Sequence, residues 1–137
     1  MPDATDSFPR RLTMRLDVEP EKLAQIRQVV KAHLDMWRLT EIADLVTLAV
    51  TELLTNVHKH TPGKEATLLV QRVPGGACVV VSDPDPTIPK VKEPDWIGES
   101  GRGLHLLTTL ADDWGIAPTN TGKDVWIRVA AIAHTPE

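Results

Sequence analysis

The chain of 137 residues has the length of one domain: enough for a hydrophobic core, too short for two ordinary domains. Its composition, 42% hydrophobic and 25% charged residues, is that of a soluble globular protein. A net charge of −4 disfavours nucleic-acid and membrane partners, and the single cysteine, Cys78, excludes an internal disulfide and a multi-cysteine metal site. Since no apolar run reaches membrane-spanning length and no signal-peptide core is visible, we expect a cytoplasmic protein.

The first half of the chain predicts one strand followed by two helices. Apolar and polar residues alternate strictly from Arg11 to Val18, which is the pattern of a half-buried strand. Pro20 then opens a first helix that extends to Trp37, with apolar residues at helical spacing. A second apolar stripe from Ile42 to Val57 predicts another helix, which Thr61-Pro62-Gly63 would end.

The second half predicts four strands, a long loop and a third helix. The segment from Asp83 to Gly103 contains prolines and glycines without any period, which is typical of a functional or disordered loop. A leucine-rich run after Gly103 predicts the third helix. The strands are expected at Glu65–Val73, Ala77–Ser82, Trp114–Ala117 and Val125–Val129, and the third helix from Leu104 to about Asp112.

This order of elements predicts an α/β (α+β) two-layer sandwich. A mixed or antiparallel sheet of about five strands would carry three helices on one face. We expect residues 1–137 to form a single domain, with flexible tails at residues 1–9 and 132–137.

Three segments carry residues that together can build one polar pocket. Glu52 and Asn56 are four residues apart, so a carboxylate and a carboxamide share one helix face. Asp83 ends an apolar strand just before a proline. The Gly101-Arg102-Gly103 turn would offer backbone N–H groups at a helix N-terminus, an anion site. The chain contains neither a Walker-type phosphate loop nor a glycine-rich turn after its first strand, which argues against P-loop and Rossmann sites.

Each of these residues also has an ordinary structural interpretation. A glutamate on a helix is often only solvated, an asparagine near a helix end is often a surface residue, and an aspartate before proline often only ends a strand. The paired glycines can act as loop hinges. These alternatives apply to Glu52, Asn56, Asp83, Gly101 and Gly103, and Arg102 is as readily exposed as bound to phosphate.

Taken together, the ordered motifs resemble those of the GHKL ATPase superfamily. The motifs are ELLTN at Glu52–Asn56, an Asp83 that follows an apolar strand, GRGL at Gly101–Leu104, and Gly-x-x-Val at Gly122–Val125. Within the superfamily the chain is most similar to small serine kinases that act as anti-sigma factors, especially stand-alone actinobacterial ATP-binding proteins. The resemblance implies a Bergerat-type ATP-binding fold over most of the chain.

The resemblance also implies a role for each motif residue. Glu52 would be the general base that activates an acceptor hydroxyl or a water, and Asn56 would coordinate the Mg²⁺ that bridges the ATP phosphates. Asp83 would accept a hydrogen bond from the adenine amino group, and residues 84–100 would form a lid. The other nucleotide-binding residues would be His60, Gly101, Arg102, Gly103 and Leu104.

The function implied is that of an ATP-dependent protein serine/threonine kinase of the anti-sigma type. It would phosphorylate an antagonist protein and sequester a sigma factor, without direct contact to nucleic acid; a homodimer is suggested by the resemblance alone. Two positions depart from the family pattern: Asp85 stands where the first glycine box has glycine, and Asp124 stands where the closing motif has a small hydroxyl residue. They favour the alternative of a regulatory module that holds nucleotide weakly or not at all and acts by sequestering a partner.

Overall fold

The structure, a computed structural model, describes residues 10–60, 65–85 and 113–131. Both predicted tails, residues 1–9 and 132–137, lie outside these ranges, as does the segment from Leu104 to Asp112 for which a third helix was predicted. The elements in chain order are β1 (Arg11–Asp17), α1 (Leu23–Met36), α2 (Ala43–His60), β2 (Glu65–Val73), β3 (Gly76–Asp83), β4 (Asp113–Pro118) and β5 (Lys123–Ala130).

A short 3₁₀ turn precedes each helix, at Pro20–Lys22 and at Thr40–Ile42. Pro20 therefore opens a 3₁₀ turn rather than the α-helix itself, which begins three residues later. Arg38 separates the two helices with a φ of 63°, a left-handed conformation that is uncommon for a residue with a side chain. The chain reverses there because the Leu39 N–H donates to the Leu34 carbonyl over 2.8 Å, as in a helix C-cap.

In the described part of the chain the sheet contains five strands in the order β1-β2-β3-β5-β4, and all four neighbouring pairs are antiparallel. Of the two arrangements expected from the sequence, the purely antiparallel one is therefore correct. A Pro74-Gly75 turn joins β2 to β3, and Gly75 takes a φ of 82°, which glycine adopts without steric cost.

The core lies between the sheet and the two helices. Alternate residues of the central strands are fully buried and pack against buried positions of α1 and α2. The inward residues are Ala66, Leu68 and Val70 of β2, Ala77, Val79 and Val81 of β3, and Ile127 and Val129 of β5. The predicted α+β architecture with five strands is confirmed, and the described residues contain two of the three predicted helices.

Each of the five strands has one of its ends at the same side of the sheet, which we call the β3 end because β3 finishes there. The pairs that define it are Asp17 with Glu65, Thr67 with Ser82, and Asp83 with Lys123. The last turns of α2 lie at this same end, because His58 Nδ1 is 3.2 Å from the carbonyl oxygen of Val18, the residue after β1. The fold therefore places the C-terminal part of α2 at the β3 end of the sheet.

Candidate functional site

Glu52 and Asn56 lie on the flank of α2 rather than in its buried stripe. Leu53, Leu54 and Val57 are buried against the sheet, which leaves the two polar residues half-buried one turn apart. Partial burial raises the pKa of the Glu52 carboxyl above its usual value, because removal from water disfavours the charged form. A carboxylate with a raised pKa is a better proton acceptor near neutral pH, which is what a general base requires.

The Asn56 carboxamide has an unsatisfied donor. Its Nδ2 atom is buried and has no hydrogen-bond partner among the described residues. A buried amide without a partner is costly, so this position suits a polar ligand. A carboxamide has an oxygen for a hard cation such as Mg²⁺ and an N–H for a phosphate oxygen. Asn56 therefore fits both groups of a magnesium–nucleotide complex.

Asp83 lies at the β3 end of the sheet and is paired with Lys123 of β5. Both side chains are buried, with 3% of Asp83 and 8% of Lys123 exposed. Lys123 Nζ donates to Asp83 Oδ1 over 3.1 Å and to the Asp85 carbonyl over 3.0 Å. The Asp85 N–H also donates to Asp83 Oδ1, over 2.9 Å. Both hydrogen bonds to the Asp83 carboxylate thus go to Oδ1, and among the described residues no donor bonds to the other oxygen, Oδ2.

Gly122 brings the start of β5 against the end of β3. A Cβ atom on Gly122 would lie 1.9 Å from the Asp83 carbonyl oxygen and 2.7 Å from Pro84 Cα, so only glycine fits this close approach. The close packing sets Lys123 directly opposite Asp83 in the strand register. The glycine of the closing motif thus has a structural role in assembling the Asp83 pair.

The two departures from the family pattern are accommodated without strain in the described residues. Asp85 is not in the left-handed region, since Arg38 alone among the described non-glycine residues has a positive φ. Asp124 lies on the sheet face opposite the helices, where its Oδ1 accepts a hydrogen bond of 2.6 Å from Ser82 Oγ. Its carboxylate is therefore on the other face from Asp83.

The structure brings some of the predicted site residues to one end of the fold, and the others lie outside the described residues. Asp83 is on the helix-facing side of the sheet, in alternation with Val79 and Val81, at the end where α2 finishes. Asn56 and Asp83 thus lie at the same end of the two layers. The predicted site residues and lid that lie outside the description are Gly101, Arg102, Gly103, Leu104, residues 86–100 and the side chain of His60.

Lys123 is the residue that sequence reasoning missed at this site. It precedes the apolar residues Val125, Ile127 and Val129 in steps of two, and this alternation places it on the inward face of β5. A lysine at an inward-facing strand position indicates that a buried partner neutralises its charge. The sequence alone does not say which strand supplies that partner.

Two features are absent from the described residues. They contain no group of three or more histidine, cysteine, aspartate or glutamate residues able to hold a metal ion. In the same part of the chain no helix combines the length and the apolar character needed to cross a membrane.

Comparison with known proteins agrees with this geometry. Residues 16–129 match the histidine kinase-like ATPase domain. The chain therefore belongs to that family, within the GHKL superfamily, and the resemblance noted in its motifs is confirmed at this level. Membership implies ATP binding. An uncharacterized protein of Streptomyces coelicolor is 43% identical over 72 residues, which are 49% of this chain and 68% of that protein.

Proposed function

We propose that the chain is an ATP-dependent protein serine/threonine kinase of the anti-sigma type, which phosphorylates an antagonist protein and sequesters a sigma factor. The observation that carries the proposal is the pairing on α2 of Glu52, with its raised pKa, and Asn56, with its unsatisfied buried amide. The helix that carries this pair finishes at the β3 end of the sheet, where Asp83 also lies. The partner classes, and a homodimeric state, come from the resemblance to anti-sigma kinases.

The proposed reaction needs positioning and charge stabilisation more than covalent chemistry. The acceptor hydroxyl oxygen forms a bond to the γ-phosphorus of ATP while the bond from that phosphorus to the β,γ-bridging oxygen breaks and ADP leaves. Glu52 accepts the proton that the hydroxyl loses. When bound, Mg²⁺ neutralises charge on the phosphate oxygens, and Asn56 would be the side chain that holds it. Asp83 Oδ2 would accept a hydrogen bond from the adenine amino group.

Thermal unfolding with and without Mg-ATP tests the binding part of this proposal. A ligand present at one hundred times its Kd stabilises the native state by about 2.7 kcal/mol, because it binds the folded form only. We expect a saturable rise in Tm with millimolar Mg-ATP, and a smaller rise without Mg²⁺. Asn56→Ala should remove most of the Mg²⁺ dependence. A Tm that does not respond to Mg-ATP would contradict nucleotide binding.

Phosphoryl transfer is tested separately, with the antagonist protein as acceptor. Glu52→Ala should keep the ATP-dependent rise in Tm and lose transfer by a factor of about 10² or more, the usual contribution of a general base. Glu41→Ala is the matched control, because Glu41 is an exposed glutamate at the start of the same helical region. Transfer that survives in Glu52→Ala would remove Glu52 from the role of base.

A second candidate function rests on the ion pair of Asp83. Because Lys123 already neutralises this carboxylate, Asp83 can be explained as a structural residue without any nucleotide. The chain would then be a regulatory module that acts by sequestering a partner. Binding of the partner at full affinity without nucleotide, together with no effect of Mg-ATP on Tm, would favour this function over the kinase.

A further inference from the structure

We propose that Lys123 is a positioning residue that fixes the orientation of Asp83 and thereby determines which nucleobase the site accepts. The inference rests on the proposed nucleotide binding and adds a role for a residue outside the recognised motifs. Its basis is the distribution of hydrogen bonds on the Asp83 carboxylate. The Lys123 ammonium and the Asp85 N–H both donate to Oδ1, at 3.1 and 2.9 Å.

The Asp83 carboxylate is held from several directions at once. Lys123 also donates to the Asp85 carbonyl over 3.0 Å, so the ammonium joins the strand end to the first residues of the loop. Gly122 packs its backbone against Asp83 and Pro84 and keeps Lys123 in register. With both side chains buried, water does not compete for these bonds, and the carboxylate does not exchange its two oxygens freely.

As a result, the Asp83 carboxylate offers a ligand one free acceptor oxygen, Oδ2, instead of two. One acceptor is enough for adenine, because its exocyclic amino group donates a single hydrogen bond toward Oδ2. Guanine presents an oxo group with adjacent N–H and amino donors, and pairs best with a carboxylate through both oxygens at once. Since Oδ1 already accepts hydrogen bonds from Lys123 and Asp85, guanine cannot form this two-oxygen contact with Asp83. Hypoxanthine has the oxo group and the ring N–H without the amino donor.

Binding of ADP, GDP and IDP by calorimetry tests the inference in the wild-type protein. ADP should bind at least about tenfold more tightly than IDP, because in the same pose hypoxanthine has an oxo oxygen where adenine has its amino group, which leaves the buried acceptor Oδ2 unpaired. GDP should bind no more tightly than IDP, because its extra amino group finds no second oxygen. A GDP affinity more than about tenfold above that of IDP would show that both oxygens of Asp83 are available and would overturn the inference.

Lys123→Met supplies the complementary test. With the ammonium removed, Oδ1 keeps only the bond from the Asp85 N–H and can accept one from a ligand. The ADP-to-GDP affinity ratio should then fall several-fold and the GDP-to-IDP ratio should rise, while Lys123→Arg, which keeps a charged donor, should restore part of the wild-type ratios. Lys31→Met, at an exposed lysine of α1, is the matched control and should leave all ratios unchanged. A merely structural Lys123 would lower Tm without changing the ratios.

The outcomes separate this inference from the function on which it rests. Wild-type protein that binds none of the three diphosphates would refute the proposed function, and the base-specific role of Lys123 with it. Wild-type protein that binds ADP, with ratios unaltered in Lys123→Met, would refute the role of Lys123 alone. Should Lys123→Met not fold, the comparison of GDP with IDP on the wild-type protein still decides the question.

Discussion

Asp83 and Lys123 form a buried ion pair that joins β3 to β5, with 3.1 Å between Oδ1 and Nζ. The two residues are directly opposite each other in the strand register, and both point to the side of the sheet that carries the helices. Burial of a charged pair gains little over an apolar pair of the same shape, whereas breaking such a pair leaves one charge unsolvated. Loss of either charge alone should therefore destabilise the fold, whatever ligand the site binds.

Lys123→Met is expected to lower the free energy of unfolding by about 3–5 kcal/mol, because it leaves the Asp83 carboxylate buried without its cation. The double variant Asp83→Asn/Lys123→Met removes both charges and should lose clearly less than the single Lys123→Met variant. Urea denaturation of the single and double variants measures the coupling.

Lys31→Met provides the surface comparison for this experiment. Lys31 pairs with Asp35 over 3.8 Å with about half of each side chain exposed, so its loss should change stability by less than about 0.5 kcal/mol. Additive losses in the Asp83/Lys123 double variant would show that the two side chains do not depend on each other, contrary to the structure.

Gly122→Ala should be strongly destabilising, by about 2–4 kcal/mol, because its Cβ would clash with backbone atoms that cannot move independently of β3. Gly115→Ala is the variant to compare with it. Its Cβ would meet the Trp126 ring at 2.8 Å, and a side chain can shift where a backbone carbonyl cannot. We expect the Gly115 variant to lose about 1–2 kcal/mol. Thermal or urea unfolding compares the two, and an equal or larger loss at Gly115 would contradict this reading of the β3–β5 contact.

The sequence predicts most of the fold because the hydrophobic pattern is tied to burial. The alternation from Arg11 onward marks β1 almost to the residue, since one face of that strand packs on the core. The helix starts are less well predicted. Pro20 begins a 3₁₀ turn, and over three residues the apolar spacing does not separate a 3₁₀ turn from the first turn of an α-helix.

The candidate site is predictable only as far as local patterns extend. Glu52 and Asn56 share a helix face because of their spacing, and Asp83 ends a recognisable strand. Lys123 was missed because its importance depends on a strand pairing that spans forty positions of the chain. For the same reason the sequence did not reveal that Asp124 contacts Ser82: the alternation in β5 gives the face of Asp124, but its partner depends on the pairing of β5 with β3.

Glu52→Gln should raise the Tm at pH 7–8 by no more than about 2 °C. The pKa of Glu52 is raised in the folded state, so the folded protein favours its protonated form. The stability associated with that form is fully present below the unfolded pKa and is lost as pH rises through the folded pKa. Glutamine mimics the protonated form and avoids this loss. The difference from wild type should therefore disappear on acidification below the usual pKa of glutamate, as measured by thermal unfolding across pH.

Glu21→Gln is the control for the sign of this effect. Glu21 is an exposed acidic residue in the 3₁₀ turn before α1, where a negative charge is favourable, so its neutralisation should be neutral or slightly destabilising at pH 7–8. A lower Tm for Glu52→Gln at neutral pH would indicate that the ionised carboxylate makes a favourable contact in the folded state.

Cys78 should react slowly with iodoacetamide in the folded protein. Burial raises the pKa of its thiol, and the Arg128 guanidinium opposes that rise in part. Because the thiolate is the nucleophile, the alkylation rate at pH 8 should be lower than in the unfolded chain, and the midpoint of the rate–pH profile should lie above the usual value for cysteine. Arg128→Gln should move that midpoint further up. Arg72→Gln, at an exposed arginine of β2, should not move it. The midpoint, unlike the absolute rate, separates the charge of Arg128 from any change in access to the sulfur, and a midpoint that falls in Arg128→Gln would contradict the assignment.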